Sequence, residues 1–90
     1  MVVNNRRSEL EIVEEILSLA KEGTKKTRIL YQTNLSYTQL QSYLSFLLDS
    51  NVLEIHHNNS VKTYKTTDKG LRVINNLKQI FDELKVSKST

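Results

Sequence analysis

Apolar residues recur at helical spacing in four stretches of the chain and alternate with polar residues in a fifth. The first stretch begins after Ser8 and ends near Glu22, where Gly23 can adopt the left-handed conformation that often follows a helix. Ser8 and Glu11 have the spacing of a capping box, in which two side chains satisfy free amides of the first turn. The pattern predicts an amphipathic helix that buries Leu10 and its other apolar residues and exposes its glutamates.

Two shorter helices joined by a tight turn are predicted next. The first extends from about Lys26 to Thr33 and has Thr24 as its expected cap, and Asn34-Leu35 forms the turn. The second begins after Ser36, which has Gln39 at capping-box distance. Its expected buried stripe consists of Leu40, Tyr43, Leu44, Leu47 and Leu48. Two helices in this arrangement form a helix-turn-helix.

A β-hairpin and a last helix complete the predicted elements. Residues 52–56 alternate between apolar and polar, residues 57–60 have turn composition, and residues 61–66 supply the returning strand. The last helix begins after Thr67 and extends to about Lys85. Its apolar residues follow steps of three or four, as in a coiled-coil seam: Leu71, Ile74, Leu77, Phe81 and Leu84. This seam can pair with a second chain, which we expect, or fold back onto the core of its own domain.

The order helix, helix, helix, hairpin, helix predicts one fold class. It is a mainly α protein with a small β-hairpin, a winged helix-turn-helix in which the hairpin is the wing. We expect a single domain over residues 1–90, with the helix-turn-helix and wing in residues 8–66 and a dimerisation helix in residues 67–85.

Composition adds charge and removes several kinds of chemistry. The chain has 90 residues, a net charge of +3 and no cysteine. Residues 24–75 carry seven basic side chains against three acidic ones, whereas residues 1–23 carry three against five. The positive charge therefore lies in the middle of the chain, where a polyanion could bind. The first residues contain no signal-peptide core, and we expect a cytoplasmic, nucleoid-associated protein.

Neither a catalytic set nor a metal or cofactor site is expected. Gly23 and Gly70 are the only glycines, which excludes a glycine-rich phosphate loop. His56 and His57 are adjacent in a strand, so their side chains point to opposite faces and make a poor metal pair. We therefore expect neither an enzyme nor a membrane protein.

The helix that begins at Ser36 has an uncharged polar face suited to the edges of DNA bases. The candidate base-contacting residues are Tyr37, Thr38, Gln41, Ser42 and Ser45, with the Gln41 amide matched to adenine. The candidate phosphate contacts are Lys25, Lys26, Arg28, Ser36, Lys62 and Lys65. A solvated surface of mixed charge is the alternative interpretation of both sets.

Two stretches of the chain resemble the small archaeal winged-helix regulators. One is Lys26-Thr27-Arg28-Ile29-Leu30-Tyr31 followed by Asn34-Leu35-Ser36-Tyr37; the other, Tyr64 to Gly70, is similar to the family's Tyr-x-x-Thr-x-Lys-Gly element. The resemblance implies double-stranded DNA as the ligand and a homodimer formed through the last helix. That helix is shorter here than the long antiparallel coiled coil of the family's DNA-organising member.

The resulting hypothesis is a dimeric DNA-binding protein that regulates transcription. Two alternatives stay open at this point. One is a winged-helix module that binds a partner protein without contacting DNA, and the other is a general, chromatin-type DNA organiser.

Overall fold

Four helices and one antiparallel hairpin follow one another within residues 8–84, which are the residues that this computed structural model describes. The elements are α1 (Glu9–Leu19), α2 (Lys26–Thr33), α3 (Tyr37–Asp49), β1 (Leu53–Asn58), β2 (Val61–Thr66) and α4 (Asp68–Glu83). This order confirms the predicted fold class. The predictions for residues 1–7 and 85–90 lie outside the described residues.

The core is one cluster of apolar side chains to which all four helices and the hairpin contribute. Ile16, Leu17, Ile29, Leu40 and Ile74 are among its fully buried side chains. Burying each such side chain stabilises the fold by roughly 1.5–3 kcal/mol relative to leaving it in water. Because the apolar side of α3 packs into this core, the polar face of α3 points away from it.

The first helix differs from its prediction at its end and on one face. It ends at Leu19 rather than near Glu22, because the Ala20 carbonyl accepts from the Thr66 amide at 2.9 Å and the chain turns there. Glu14 is only 3% exposed, so the glutamates of α1 are not all on the outer face. Its carboxylate accepts from the Ser18 hydroxyl at 3.0 Å.

Thr24 has a different role from the predicted helix cap. Its backbone pairs with that of Tyr64 in β2, with N–O distances of 2.9 and 2.7 Å. The cap position of α2 belongs to Lys25, whose side chain makes no capping hydrogen bond. The start of α2 is therefore attached to the wing.

The wing turn is shorter than predicted. Asn59 and Ser60 both have positive φ, 51° and 69°, as two-residue hairpin turns of the I′ type require. These two residues suffice to reverse the chain, so His57 and Asn58 belong to β1, and Asn58 pairs with Val61. The predicted four-residue turn is corrected accordingly.

The Thr-x-Lys-Gly element attaches α4 to the loop between α3 and β1. The Thr67 hydroxyl oxygen accepts from the Gly70 amide at 3.1 Å, and the hydroxyl donates to the Asn51 carbonyl at 2.7 Å. A β-carbon on Gly70 would lie 2.2 Å from the Val52 carbonyl oxygen. Only glycine allows α4 to come this close to the Val52 backbone, so close packing explains the glycine of the Thr-x-Lys-Gly element.

The apolar seam of α4 does not form one exposed surface. Ile74, Leu77 and Phe81 are buried in the core of the chain itself, the second of the two alternatives that the sequence left open. Leu71 and Leu84 are exposed, but thirteen residues of helix place them on different sides of α4. Any contact of α4 with a second chain must therefore use residues other than the three buried ones.

Candidate nucleic-acid interface

The start of α3 is ordered by the capping box that the sequence predicted. The Ser36 hydroxyl oxygen accepts from the Gln39 amide at 3.1 Å, and the Gln39 side chain accepts from the Ser36 amide at 3.0 Å. Asn34 adopts the left-handed conformation at the end of α2, which makes the tight turn between the two helices. These local bonds determine where the first polar residues of α3 project.

All five candidate base-contacting residues are exposed on α3: Tyr37, Thr38, Gln41, Ser42 and Ser45. The buried stripe of α3 has Leu40, Leu44 and Leu47 as its central members. Thr38, Ser42 and Ser45 lie opposite this stripe, whereas Tyr37 and Gln41 lie toward its edge. The structure divides the candidate residues between two flanks of the helix. Tyr37 and Gln41 lie beside Lys26, whereas Thr38 and Ser42 line a groove next to α1.

A cleft that we call the basic cleft lies between the start of α2 and the wing, and its residue Lys26 contacts Tyr37 and Gln41 on one flank of α3. The cleft has a volume of about 420 Å³ and is lined by Lys25, Lys26, Thr27, Ser60, Val61, Lys62 and Tyr64. The backbone pairing of Thr24 with Tyr64 creates it, because that pairing holds the start of α2 against the wing. Three of the candidate phosphate contacts thus converge from two elements that are far apart in the sequence.

Three candidate phosphate contacts do not line the basic cleft: Arg28, Ser36 and Lys65. Lys62 and Lys65 are three residues apart on β2, so their side chains project from opposite faces of the hairpin. Lys62 approaches the Tyr64 ring at 5.6 Å, whereas Lys65 lies across from Glu54. Arg28 is exposed on α2, and Ser36 is exposed at the start of α3. The two wing lysines are therefore not one phosphate-binding pair.

Lys26 makes contacts that its position in the sequence did not indicate. Its ammonium group donates to the Gln41 side-chain oxygen and, at 3.3 Å, to the Tyr37 hydroxyl. It also lies 5.0 Å from the centre of the Tyr37 ring, a cation–π distance. The partners are 11 and 15 residues away, and no local pattern signals such a contact.

The other flank of α3 borders a groove that we call the apolar groove. Its volume is about 560 Å³, and it is lined by Glu9, Leu10, Val13, Thr38, Gln39, Ser42, Tyr43 and Phe46. Leu10 is 52% exposed and Phe46 61% exposed. Leu10 was predicted to be buried, but the first turn of α1 extends past the core. Phe46 was given no role in the sequence analysis. Its position outside the buried stripe of α3 was the signal that it would be exposed.

Residues 8–84 contain neither a metal-binding cluster nor a membrane-spanning helix. Within 8–84, no group of three or more histidine or acidic side chains is arranged to hold a metal ion. None of the helices α1 to α4 is long and apolar enough to span a membrane. The histidines of β1 are both exposed, and the His56 ring lies 2.7 Å from the Glu54 carboxylate.

The helix-turn-helix, the wing and the polar face of α3 define a winged-helix DNA-binding fold. Residues 6–85 match the family model described as winged helix-turn-helix, and the chain belongs to that family. An uncharacterised protein of Methanocaldococcus jannaschii is 30% identical over 78 residues, which cover 86% of this chain and 76% of the relative.

Two solved structures show the same fold. Sso10a-2, a DNA-binding protein from Sulfolobus solfataricus, is 28% identical with a TM-score of 0.77, covering 88% of this chain and 83% of its own. F93 from STIV, a winged-helix DNA-binding protein, is 19% identical with a TM-score of 0.69. The match covers 94% of this chain and 100% of F93. The resemblance to archaeal winged-helix regulators is confirmed.

Proposed function

We propose that this protein binds double-stranded DNA as a dimer and regulates transcription, with α3 in the major groove and the wing beside it. The observation that carries the proposal is the basic cleft, where lysines of α2 and β2 converge and from which Lys26 reaches the uncharged polar residues of α3. Positive groups that flank a neutral hydrogen-bonding helix suit a duplex, because phosphates border the groove that the helix enters.

The basic cleft supplies affinity. Lys25 and Lys62 are exposed and can each neutralise a phosphate. Lys25 occupies the cap of α2 without a capping bond from its side chain, so the first amides of that helix can also donate to a phosphate oxygen. These contacts position the protein without distinguishing one base from another.

The exposed face of α3 supplies sequence preference. Its hydroxyl and amide groups can donate to and accept from base edges, and they carry no charge that would bind phosphates indiscriminately. A protein built this way binds many sequences weakly and some sequences more tightly, which favours a regulator over a general DNA organiser.

Dimerisation is proposed through the distal part of α4. Ile80 is 46% exposed and Leu84 67% exposed, and their four-residue spacing places them on one side of the helix. A second copy that packs on this side would present two α3 helices to DNA. Sizing at two concentrations tests it: the native protein should dimerise and Ile80→Asp should be monomeric, with Leu71→Asp on a different side of α4 as control. A native protein that stays monomeric contradicts the dimer.

Binding to a random-sequence duplex at two salt concentrations tests the DNA function. Because each neutralised phosphate releases counterions, log affinity should fall with log salt by about 0.9 for each phosphate contact. Selection from random duplexes then separates regulator from organiser, since only a regulator enriches a motif. Absence of binding, or tight binding that salt leaves unchanged, contradicts the proposal.

A protein partner is the second candidate function, and the apolar groove favours it. Leu10 and Phe46 expose apolar surface at one flank of α3. If the groove is the functional surface, Phe46→Ser abolishes partner binding and leaves any DNA binding unchanged. If α3 contacts DNA as proposed, Lys25→Ala combined with Lys62→Ala lowers the affinity for duplex DNA more than Phe46→Ser does.

A further inference from the structure

Lys26 differs from the other lysines of the basic cleft in its surroundings. Lys25 and Lys62 are exposed, whereas Lys26 is half-buried in the first turn of α2. Its ammonium group is directed at α3, where it donates to the side-chain oxygen of Gln41 and to the hydroxyl of Tyr37 at 3.3 Å. A lysine held this way by α3 is poorly placed to act as an independent phosphate contact.

The bond to Lys26 determines which end of the Gln41 amide is available to a base. An ammonium group only donates hydrogen bonds, so the amide oxygen must be the end that faces Lys26. The amide nitrogen then points away from Lys26, and Gln41 is exposed. The group presented beside α3 is therefore a hydrogen-bond donor.

A donor at this place changes the base that Gln41 recognises. Bidentate recognition of adenine needs the amide oxygen to accept from the adenine amino group while the amide nitrogen donates to N7. Here the oxygen is turned toward Lys26, which uses one of its two lone pairs, so the amide nitrogen is the end left to meet a base. Guanine instead presents two acceptors in the major groove, N7 and O6, and either can accept from the Gln41 amide nitrogen. This replaces the match to adenine that the sequence predicted.

We propose that Lys26 is a specificity-determining residue that holds Gln41 as a donor and thereby makes the protein prefer a G·C pair at the position that α3 reaches. The inference rests on the proposed function, because it needs α3 to contact bases. It also separates the cleft lysines into two roles, with Lys25 and Lys62 contacting phosphates and Lys26 positioning a base-contacting side chain.

The test compares the native protein with Lys26→Met and Lys25→Met. Both variants remove one positive charge from neighbouring positions and keep a long apolar stem. Random-duplex selection first identifies the position at which Gln41→Ala relaxes the preference of the native protein. Affinities are then measured for duplexes with guanine or adenine at that position, and thermal unfolding followed by circular dichroism checks that each variant is folded.

The native protein should prefer guanine by about tenfold, the discrimination expected of good hydrogen bonds to a base edge. Lys26→Met should reduce this ratio to about one or invert it, since Gln41 is then free to present its oxygen to adenine. Lys25→Met should weaken both duplexes alike and keep the native ratio.

Three results would overturn the inference. A native preference for adenine at the Gln41 position contradicts it, and so does a Lys26→Met variant that keeps the guanine preference and weakens both duplexes as Lys25→Met does. A native protein that binds no duplex overturns the proposed function and this inference together. The first two results leave DNA binding intact, so the two failures are distinguishable.

Discussion

The two flanks of α3 are built from different parts of the chain and have opposite chemistry. The basic cleft joins the start of α2 to the wing and concentrates lysines, whereas the apolar groove lies against the first turn of α1 and exposes Leu10 and Phe46. The acidic Glu9 borders the groove. The basic cleft attracts a phosphate backbone electrostatically, whereas the apolar groove offers it no positive charge.

This difference predicts how a duplex would lie on the protein if α3 enters the major groove, as proposed. The strand that borders the wing would then meet positive charge, and the opposite strand would meet a surface that is uncharged apart from Glu9. Affinity is then expected to depend mainly on the basic side of the helix. Tyr37 and Gln41, which lie on the basic side, should contribute more to base discrimination than Thr38 and Ser42.

The largest expected effect comes from Gly70→Ala, which disturbs the junction of α4 with the loop after α3 and with the end of the wing. The new β-carbon would lie 2.2 Å from the Val52 carbonyl oxygen and 2.5 Å from the Thr66 methyl carbon. We expect the free energy of unfolding to fall by about 3 kcal/mol, as for other overpacked positions. Urea unfolding measures it. Asn76→Ala, at an exposed position of the same helix, is the control and should change stability by less than about 0.5 kcal/mol. Equal stability of both variants would show that the contact between α4 and the loop from α3 to β1 is not tight.

Removing two charges from the basic cleft should have the next largest effect. Lys25→Ala combined with Lys62→Ala should lower affinity for duplex DNA by about 10- to 100-fold and reduce the salt slope by about two. The matched control is Lys65→Ala combined with Arg72→Ala, which removes the same charge from exposed positions outside the cleft. Fluorescence anisotropy at several salt concentrations gives both quantities. If the two double variants lose affinity equally, the affinity depends on the net charge of the protein and not on the position of the lysines in the cleft.

Ser36→Ala should have a moderate effect that both flanks share. It removes the hydroxyl oxygen that accepts from the Gln39 amide at 3.1 Å, and a lost helix cap costs about 1 kcal/mol. For a domain of this size we expect the melting temperature to fall by about 4–8 °C. Ser45→Ala, an exposed position inside α3, should leave the melting temperature nearly unchanged. A stable Ser36→Ala would mean that packing alone orders the first turn.

Phe46→Ser should have the smallest effect, and it tests the comparison most directly. Phe46 is largely exposed in the apolar groove, so stability should change by less than about 0.5 kcal/mol and duplex affinity by less than about twofold. Its neighbour Leu47 is buried, and Leu47→Ala should cost about 2–5 kcal/mol. A tenfold loss of affinity in Phe46→Ser would place the duplex against the apolar groove and reverse the assignment of the flanks.

Local patterns predicted the elements because each depends on residues close in sequence. The capping boxes at Ser8 and Ser36, the left-handed Asn34 and the cap at Thr67 all satisfy backbone groups within three or four residues. Two of the errors fall where distant backbone contacts compete with local preference. Thr24 pairs with the wing instead of capping α2, and the end of α1 moves because Thr66 binds the Ala20 carbonyl.

The candidate site was predictable by residue type but not by arrangement. The polar face of α3 follows from helical periodicity, since its buried stripe determines the opposite side. The separation of Lys62 from Lys65 depends on the register of the hairpin, and the burial of Ile74, Leu77 and Phe81 depends on α1 covering α4. A heptad-like seam fits a second chain and the chain's own core equally well.

The sequence alone determined the order of the helices and the hairpin, the polar face of α3 and the location of positive charge in the middle of the chain. Only the tertiary structure decided that Lys25, Lys26 and Lys62 share a cleft, that Lys26 binds Gln41, and that most of the α4 seam is internal. The physical reason is the range of the interactions: periodicity and capping act within a turn or two, whereas the pairing of Thr24 with Tyr64 joins residues 40 positions apart.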